Sequence, residues 1–162
     1  MKATIRKAEA NDMAQVLRLI KELAVYEKEP DAVEVTVDDL IAYGTGSNAD
    51  FTCFVAEQDG DILGIALVYY RFSTWKGRTV HLEDLIVREQ HRGKGIGMAL
   101  YTEVIKYTYE AGLKRVEWVV LDWNTSAVEF YKASGANVMQ EWNTVQMDTA
   151  AMKRFLTEKD LA

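Results

Sequence analysis

The chain has 162 residues, 49% of them hydrophobic and 27% charged, with a formal net charge of −6. That length suits one domain, 1–162, with a substantial core, and the composition is globular rather than disordered or fibrous. The acidic balance argues against nucleic acid as a partner, and no apolar run reaches the length of a membrane span.

The charge is unevenly spread. Residues 1–61 hold 13 of the 25 acidic side chains and 6 of the 19 basic ones, which suits a front part that attracts a cation and a later part that holds an anion. Residues 1–6 lack the apolar stretch of a signal peptide, and the lone Cys53 sits in an apolar strand and can form no internal disulfide. Both features point to the cytoplasm.

A strand is expected over 4–8, then a helix entered through Asn11 and Asp12 and ending near Tyr26, whose apolar positions Met13, Val16, Leu17, Ile20, Leu23 and Ala24 recur at helical spacing. An acidic loop with Glu27, Glu29, Asp31 and Glu34 follows, and Thr36 with Asp39 three residues on opens a short second helix. Strands over 51–58 and 62–72, joined at Asp59-Gly60, read as a tight hairpin. The nearly unbroken apolar run 62–70 marks a central strand covered on both faces. The segment 73–78 leads to a third strand over 79–87. A helix over 98–111, a strand over 115–121 and a short helix opened by Asn124 and Ser126 come next. A hairpin of strands 137–142 and 144–147 and a helix over 150–161 end the chain.

Between the strand ending at Val87 and the helix after it lies Arg92-Gly93-Lys94-Gly95-Ile96-Gly97. Glycines let the backbone adopt conformations closed to other residues and let a ligand come close. Amide N–H groups at a helix start are unpaired and favour negative charge, and Arg92 and Lys94 add two cations, so the turn reads as a pyrophosphate cradle. A dinucleotide fingerprint fails because Met98 stands where its third glycine belongs, and a P-loop fails because Met98 and Ala99 follow Gly97.

Arg-x-x-Gly-x-Gly in this setting resembles the acetyl-CoA signature of the GNAT N-acetyltransferases, and the order of predicted elements matches theirs along essentially the whole chain. Within that superfamily the chain looks most like the diamine (spermidine/spermine) and thialysine N-acetyltransferases. The matching words are Leu19-Ile20-Lys21-Glu22-Leu23-Ala24 with Tyr26-Glu27, Trp75-x-Gly77, Leu82-Glu83-Asp84, the glycine turn, Trp123-Asn124 and Phe130-Tyr131-Lys132. The resemblance implies an α/β fold with a mixed central sheet of about seven strands and flanking helices, acetyl-CoA as co-substrate, and a homodimer.

The implied chemistry moves an acetyl group from a thioester to a primary amine. Such an amine, with pKa near ~10.4, is protonated at neutral pH, and freeing its lone pair costs about 4.6 kcal/mol. A base is therefore needed, and Glu83, on the strand leading to the turn, is the candidate, acting directly or through water. Asp84 beside it should face the other side of the strand unless a bulge intervenes. By resemblance, Tyr131 is the acid that protonates the departing thiolate. Backbone N–H groups over Leu85, Ile86 and Val87 stabilise the oxyanion where the family strand is bulged, the turn from Arg92 to Met98 holds the pyrophosphate, and Asn124 with Ser126 contacts the pantetheine arm. Tyr26, Glu27, Trp75, Glu83 and Asp84 would line the amine pocket. Polyamine-specific relatives carry an acidic residue before the matching tryptophan; Ser73-Thr74-Trp75-Lys76-Gly77-Arg78 looks more like the thialysine branch. An enzyme acting on a protein amine or another metabolite, and a non-catalytic acetyl-CoA sensor, are the alternatives. His81 and His91 show no metal-ligand spacing with each other or with Cys53, so no metal is expected and His81 reads as an ordinary strand residue.

Overall fold

Residues 62–68 are all buried, as an apolar run with no polar face requires, and they form the middle of the longest strand. In a computed structural model, which describes residues 3–158, this strand is β3 (Asp61–Ser73). Around it stand β1 (Thr4–Lys7), β2 (Thr52–Gln58), β4 (Gly77–Val87) and β5 (Val116–Glu117), in the spatial order β1-β2-β3-β4-β5. The first four are antiparallel neighbours, and β5 joins β4 in parallel. The β2–β3 turn is Asp59-Gly60, both in the left-handed region at φ 54° and 85°, the backbone a two-residue hairpin demands.

Helices α1 (Met13–Tyr26) and α2 (Val37–Gly44) cover one face of the sheet. Met13, Val16, Leu19 and Leu40 pack there on Val55, Ile65, Leu67 and Ile86. Helix α3 (Ile96–Glu110) covers the other, setting Leu100 and Val104 on Phe54, Ala66, Val68, Leu82 and Val87. Each such buried side chain contributes roughly 1.5–3 kcal/mol. α2 is entered through a reciprocal cap in which Thr36 accepts from the Asp39 N–H and Asp39 accepts from the Thr36 N–H. Close packing also fixes Gly64, where a Cβ would come within 2.8 Å of the Ile86 carbonyl oxygen.

The described chain divides after Val119 into two compact units. The second unit holds α4 (Thr125–Ala133) and α5 (Thr149–Glu158). The N-cap of α4 is Asn124, whose side chain accepts from the Ala127 N–H, while Ser126 lies inside the first turn and donates to Asn124 Oδ1. Asp148 caps α5 by accepting from the Ala151 N–H at 2.6 Å; residues 159–161 of the expected last helix lie outside the described residues.

The sheet has five strands among the described residues rather than about seven. Residues 137–147 carry no ladder, and Met139, Trp142, Val145 and Met147 are exposed, so the expected hairpin of strands 137–142 and 144–147 is absent among the described residues. The strand expected over 115–121 pairs only at Val116 and Glu117.

Candidate active site

The site grows from the register of β3 against β4. Leu67 stands opposite Asp84 and Val68 opposite Leu82, which leaves Glu83 as an extra residue on β4. This is a β-bulge, and it cancels the alternation that would send neighbouring side chains to opposite faces. Leu82 enters the core under α3, while Asp84 lies opposite Leu67, whose side chain packs on the α1 side. Glu83 Oε2 lies 3.6 Å from His81 Nε2. His81 faces Tyr69 across the strands, ring centroids 5.0 Å apart, and this pair alternates with Val68 and Leu82 and so also points to the α1 side. Both carboxylates therefore face the same way.

Glu27 at the C-terminal end of α1 adds a third. Burial, then the charges of Glu83 and Glu27, push the Asp84 carboxyl up to about 6. Desolvation raises Glu27 above the ordinary carboxylate value as well. Three carboxylates converging on one partly dry spot are suited to a cation. Burial, followed by the charge of Glu83 and a hydrogen bond to it, raises the Tyr69 phenol.

After Val87 the chain makes a short 3₁₀ turn over Glu89–His91 and enters the glycine segment. Gly93 and Gly95 hold φ of 72° and 83°, and a Cβ on either would meet nothing within 4 Å, so these glycines answer to backbone conformation and to open space above them. Gly95 is the N-cap of α3 and supplies no side-chain cap, and none is seen among the described residues; the ladder begins with Ala99 N–H on the Gly95 carbonyl at 3.0 Å. The first-turn N–H groups of Ile96, Gly97 and Met98 thus have no capping side chain, which fits a phosphate-bearing ligand. Arg92 Nε donates to the Val87 carbonyl at 2.9 Å, and its guanidinium lies 5.2 Å from the Tyr26 ring centroid, tying the end of α1 to the turn. Lys94 Nζ donates to the Gln90 carbonyl at 3.0 Å.

Leu85, Ile86 and Val87 pair in regular register with Ala66, Ile65 and Gly64. The bulge expected over these residues lies at Glu83 instead. On its other side β4 pairs with β5 only at Val80 and His81, so from Leu82 onward that edge has no strand partner among the described residues. Trp75 is not brought to the carboxylates: it sits at the tip of the β3–β4 hairpin, 79% exposed. The extended run from Gly77 to Glu83 separates them by roughly 20 Å at ~3.3 Å per residue. Tyr131 and Asn124 belong to the second unit, where Tyr131 is buried and packs edge-to-face with Phe130 at 5.3 Å. Cys53 is a core residue whose thiol is raised by burial.

Sequence reasoning gave Tyr69 no role and read His81 as an ordinary strand residue. The signal available was spacing, since His81 stands two residues before Glu83 on a strand and shares its face.

The carboxylate cluster thus sits on the strand that leads into the glycine turn. Residues 13–136 match the acetyltransferase (GNAT) family. A thialysine N-epsilon-acetyltransferase from Bos taurus is 38% identical over 162 residues, covering 93% of this chain and 95% of the relative. A human spermidine/spermine N(1)-acetyltransferase-like protein is 34% identical over 82% of this chain and 20% of its own length. Among solved structures, an integron cassette protein of Vibrio cholerae shares the fold with a TM-score of 0.77 at 22% identity, covering 96% of this chain and 98% of that one. The chain belongs to the GNAT family. It is an acetyltransferase, and acetyl-CoA is the co-substrate of its family.

Proposed function

We propose that the protein transfers acetyl from acetyl-CoA to a primary amine of a small substrate carrying a second positive charge, a lysine analogue such as thialysine or a short di- or polyamine. The observation that carries this reading is the convergence of Glu27, Glu83 and Asp84 on the side of β4 next to the glycine turn. Names of relatives support the same substrate class, one specified for thialysine and one for spermidine and spermine.

In this reading the turn from Arg92 to Met98 holds the pyrophosphate on backbone N–H groups, and the free edge of β4 over Leu85 to Val87 offers N–H groups to the thioester carbonyl. Asn124 and Ser126 contact the pantetheine arm. The thioester supplies an activated acetyl group and a thiolate leaving group. Glu83 accepts the proton of the incoming ammonium, directly or through a water, while Asp84, Glu27 and Tyr26 hold the rest of the cationic substrate. Tyr131 keeps its phenolic proton until the thiolate leaves and then donates it. Trp75, far from Glu83 along its own chain, serves the amine pocket only at longer range. The family match over residues 13–136 includes parts of both compact units, which supports reading 1–162 as one domain. The enzyme works in the cytoplasm as a homodimer.

The test is thiol release from acetyl-CoA with thialysine, lysine, spermidine, putrescine and a basic peptide. Turnover with thialysine or a diamine, and none with the peptide, is the expected result; turnover confined to the peptide refutes the small-amine reading.

A further inference from the structure

The surroundings of His81 are lopsided. Its Nε2 lies 3.6 Å from Glu83 Oε2, whereas its Nδ1 is buried with no hydrogen-bond partner among the described residues. The imidazole side chain is only 12% exposed, against 52% for Glu83. A neutral imidazole carries one N–H. On Nε2 that proton faces a carboxylate oxygen 3.6 Å away, just beyond hydrogen-bond length; on Nδ1 it would be an orphan donor in a dry place, which is costly. Tyr69 lies tilted against the ring from β3, centroids 5.0 Å and planes 34° apart, and its phenol is raised by burial and by the neighbouring Glu83. The other charged groups near by are Asp84 and Glu27 toward α1, and Arg71 with Glu117 beside Tyr69.

We infer that His81, as its Nε2–H tautomer, and Tyr69 are positioning residues that hold the Glu83 carboxylate at the bulge in one orientation for proton transfer. Glu83 is half exposed, and an exposed glutamate samples several rotamers. Two rigid rings beside it, each with a donor facing the carboxylate, restrict that sampling and leave the carboxylate's remaining lone pairs to the ammonium proton. Misplacing a reacting group by as little as an ångström lowers rate steeply. The proton leaves the amine nitrogen for a Glu83 oxygen, and His81 and Tyr69 keep theirs. This inference rests on Glu83 as the base.

The experiment is a cycle of variants read by kcat and by the KM for each substrate. His81→Phe keeps a flat ring in the same place and removes the donor; it is expected to lower kcat about tenfold with little change in acetyl-CoA KM, in line with loss of one contact to a charged group that tightens when substrate is bound. His81→Gln, which keeps an N–H at a similar reach, is expected to recover most of that loss. In the Glu83→Gln background His81→Phe should cost less than about twofold, since there is no base left to position. Equal losses in both backgrounds, or no rescue by Gln, overturn the inference and leave the base assignment standing. A Glu83→Gln variant as active as the native enzyme removes the base assignment and the inference with it. Nitrogen-15 NMR of the His81 ring in the native chain gives a reading that needs no variant to fold: the proton is expected on Nε2, and a proton on Nδ1 overturns the inference.

Discussion

Replacing Asp84 by Asn should stabilise the fold at mildly alkaline pH and do little in acid. The Asp84 carboxyl is pushed up to about 6 by burial and by Glu83 and Glu27, whereas a free aspartate titrates near ~3.9. The folded chain therefore holds this proton more tightly than the unfolded chain. Between about pH 4 and pH 6 the native state binds more protons, so stability falls as pH rises through that window and stays lower above it. At roughly 1.36 kcal/mol per pH unit, ionised Asp84 costs about 3 kcal/mol above the window. Asparagine avoids that cost, so urea unfolding should show a variant advantage that grows from near zero at about pH 4 to roughly 1–3 kcal/mol at about pH 8. The same substitution should raise the amine KM, because a bound ammonium relieves the charge that burial penalises; stability and activity then move in opposite directions. A variant no more stable than the native chain at the alkaline end, or a difference independent of pH, would refute the reasoning.

Tyr131→Phe should leave acetyl-CoA affinity intact and lower turnover by roughly 10²- to 10⁴-fold, the range for a general acid; single-turnover kinetics at saturating acetyl-CoA checks it, and unchanged turnover removes Tyr131 from the mechanism. Gly95→Val forces a β-branched residue to φ 83° at the α3 N-cap, a conformation such residues avoid. Calorimetric titration should show acetyl-CoA binding weakened by about tenfold or more, at a cost of roughly 1–2 kcal/mol per left-handed residue. Normal affinity in a folded variant would sink the cradle.

Local chemistry made much of this fold legible. Asp59-Gly60 announces its turn because few residue pairs adopt two left-handed conformations in a row. The run 62–68 announces a central strand because no polar face is left for water, and Thr36 with Asp39 announces the α2 cap. Segments that depend on partners were not legible. Residues 137–147 hold Val, Met, Trp and Thr suited to strands, but such residues state a preference and a ladder needs a neighbour. Asn124 and Ser126 are both good caps two residues apart; Asn124 prevails because its carbonyl accepts the first helical bond, from the Val128 N–H. At the site, the glycine turn and Glu83 could be read from spacing and resemblance. The bulge could not, because it is a property of two strands in register, and it is the bulge that turns Asp84 to the side of Glu83, His81 and Tyr69.

The most direct test of the account is the pH dependence of kcat/KM for thialysine in the native enzyme and in Glu83→Gln. If the carboxylate at the bulge takes the ammonium proton, the variant should lose roughly 10²- to 10⁴-fold near neutrality. It should then recover about tenfold per pH unit as the solution itself deprotonates the amine toward its pKa of ~10.4. A variant profile that overlays the native one would contradict the account and leave the three carboxylates as a binding site alone.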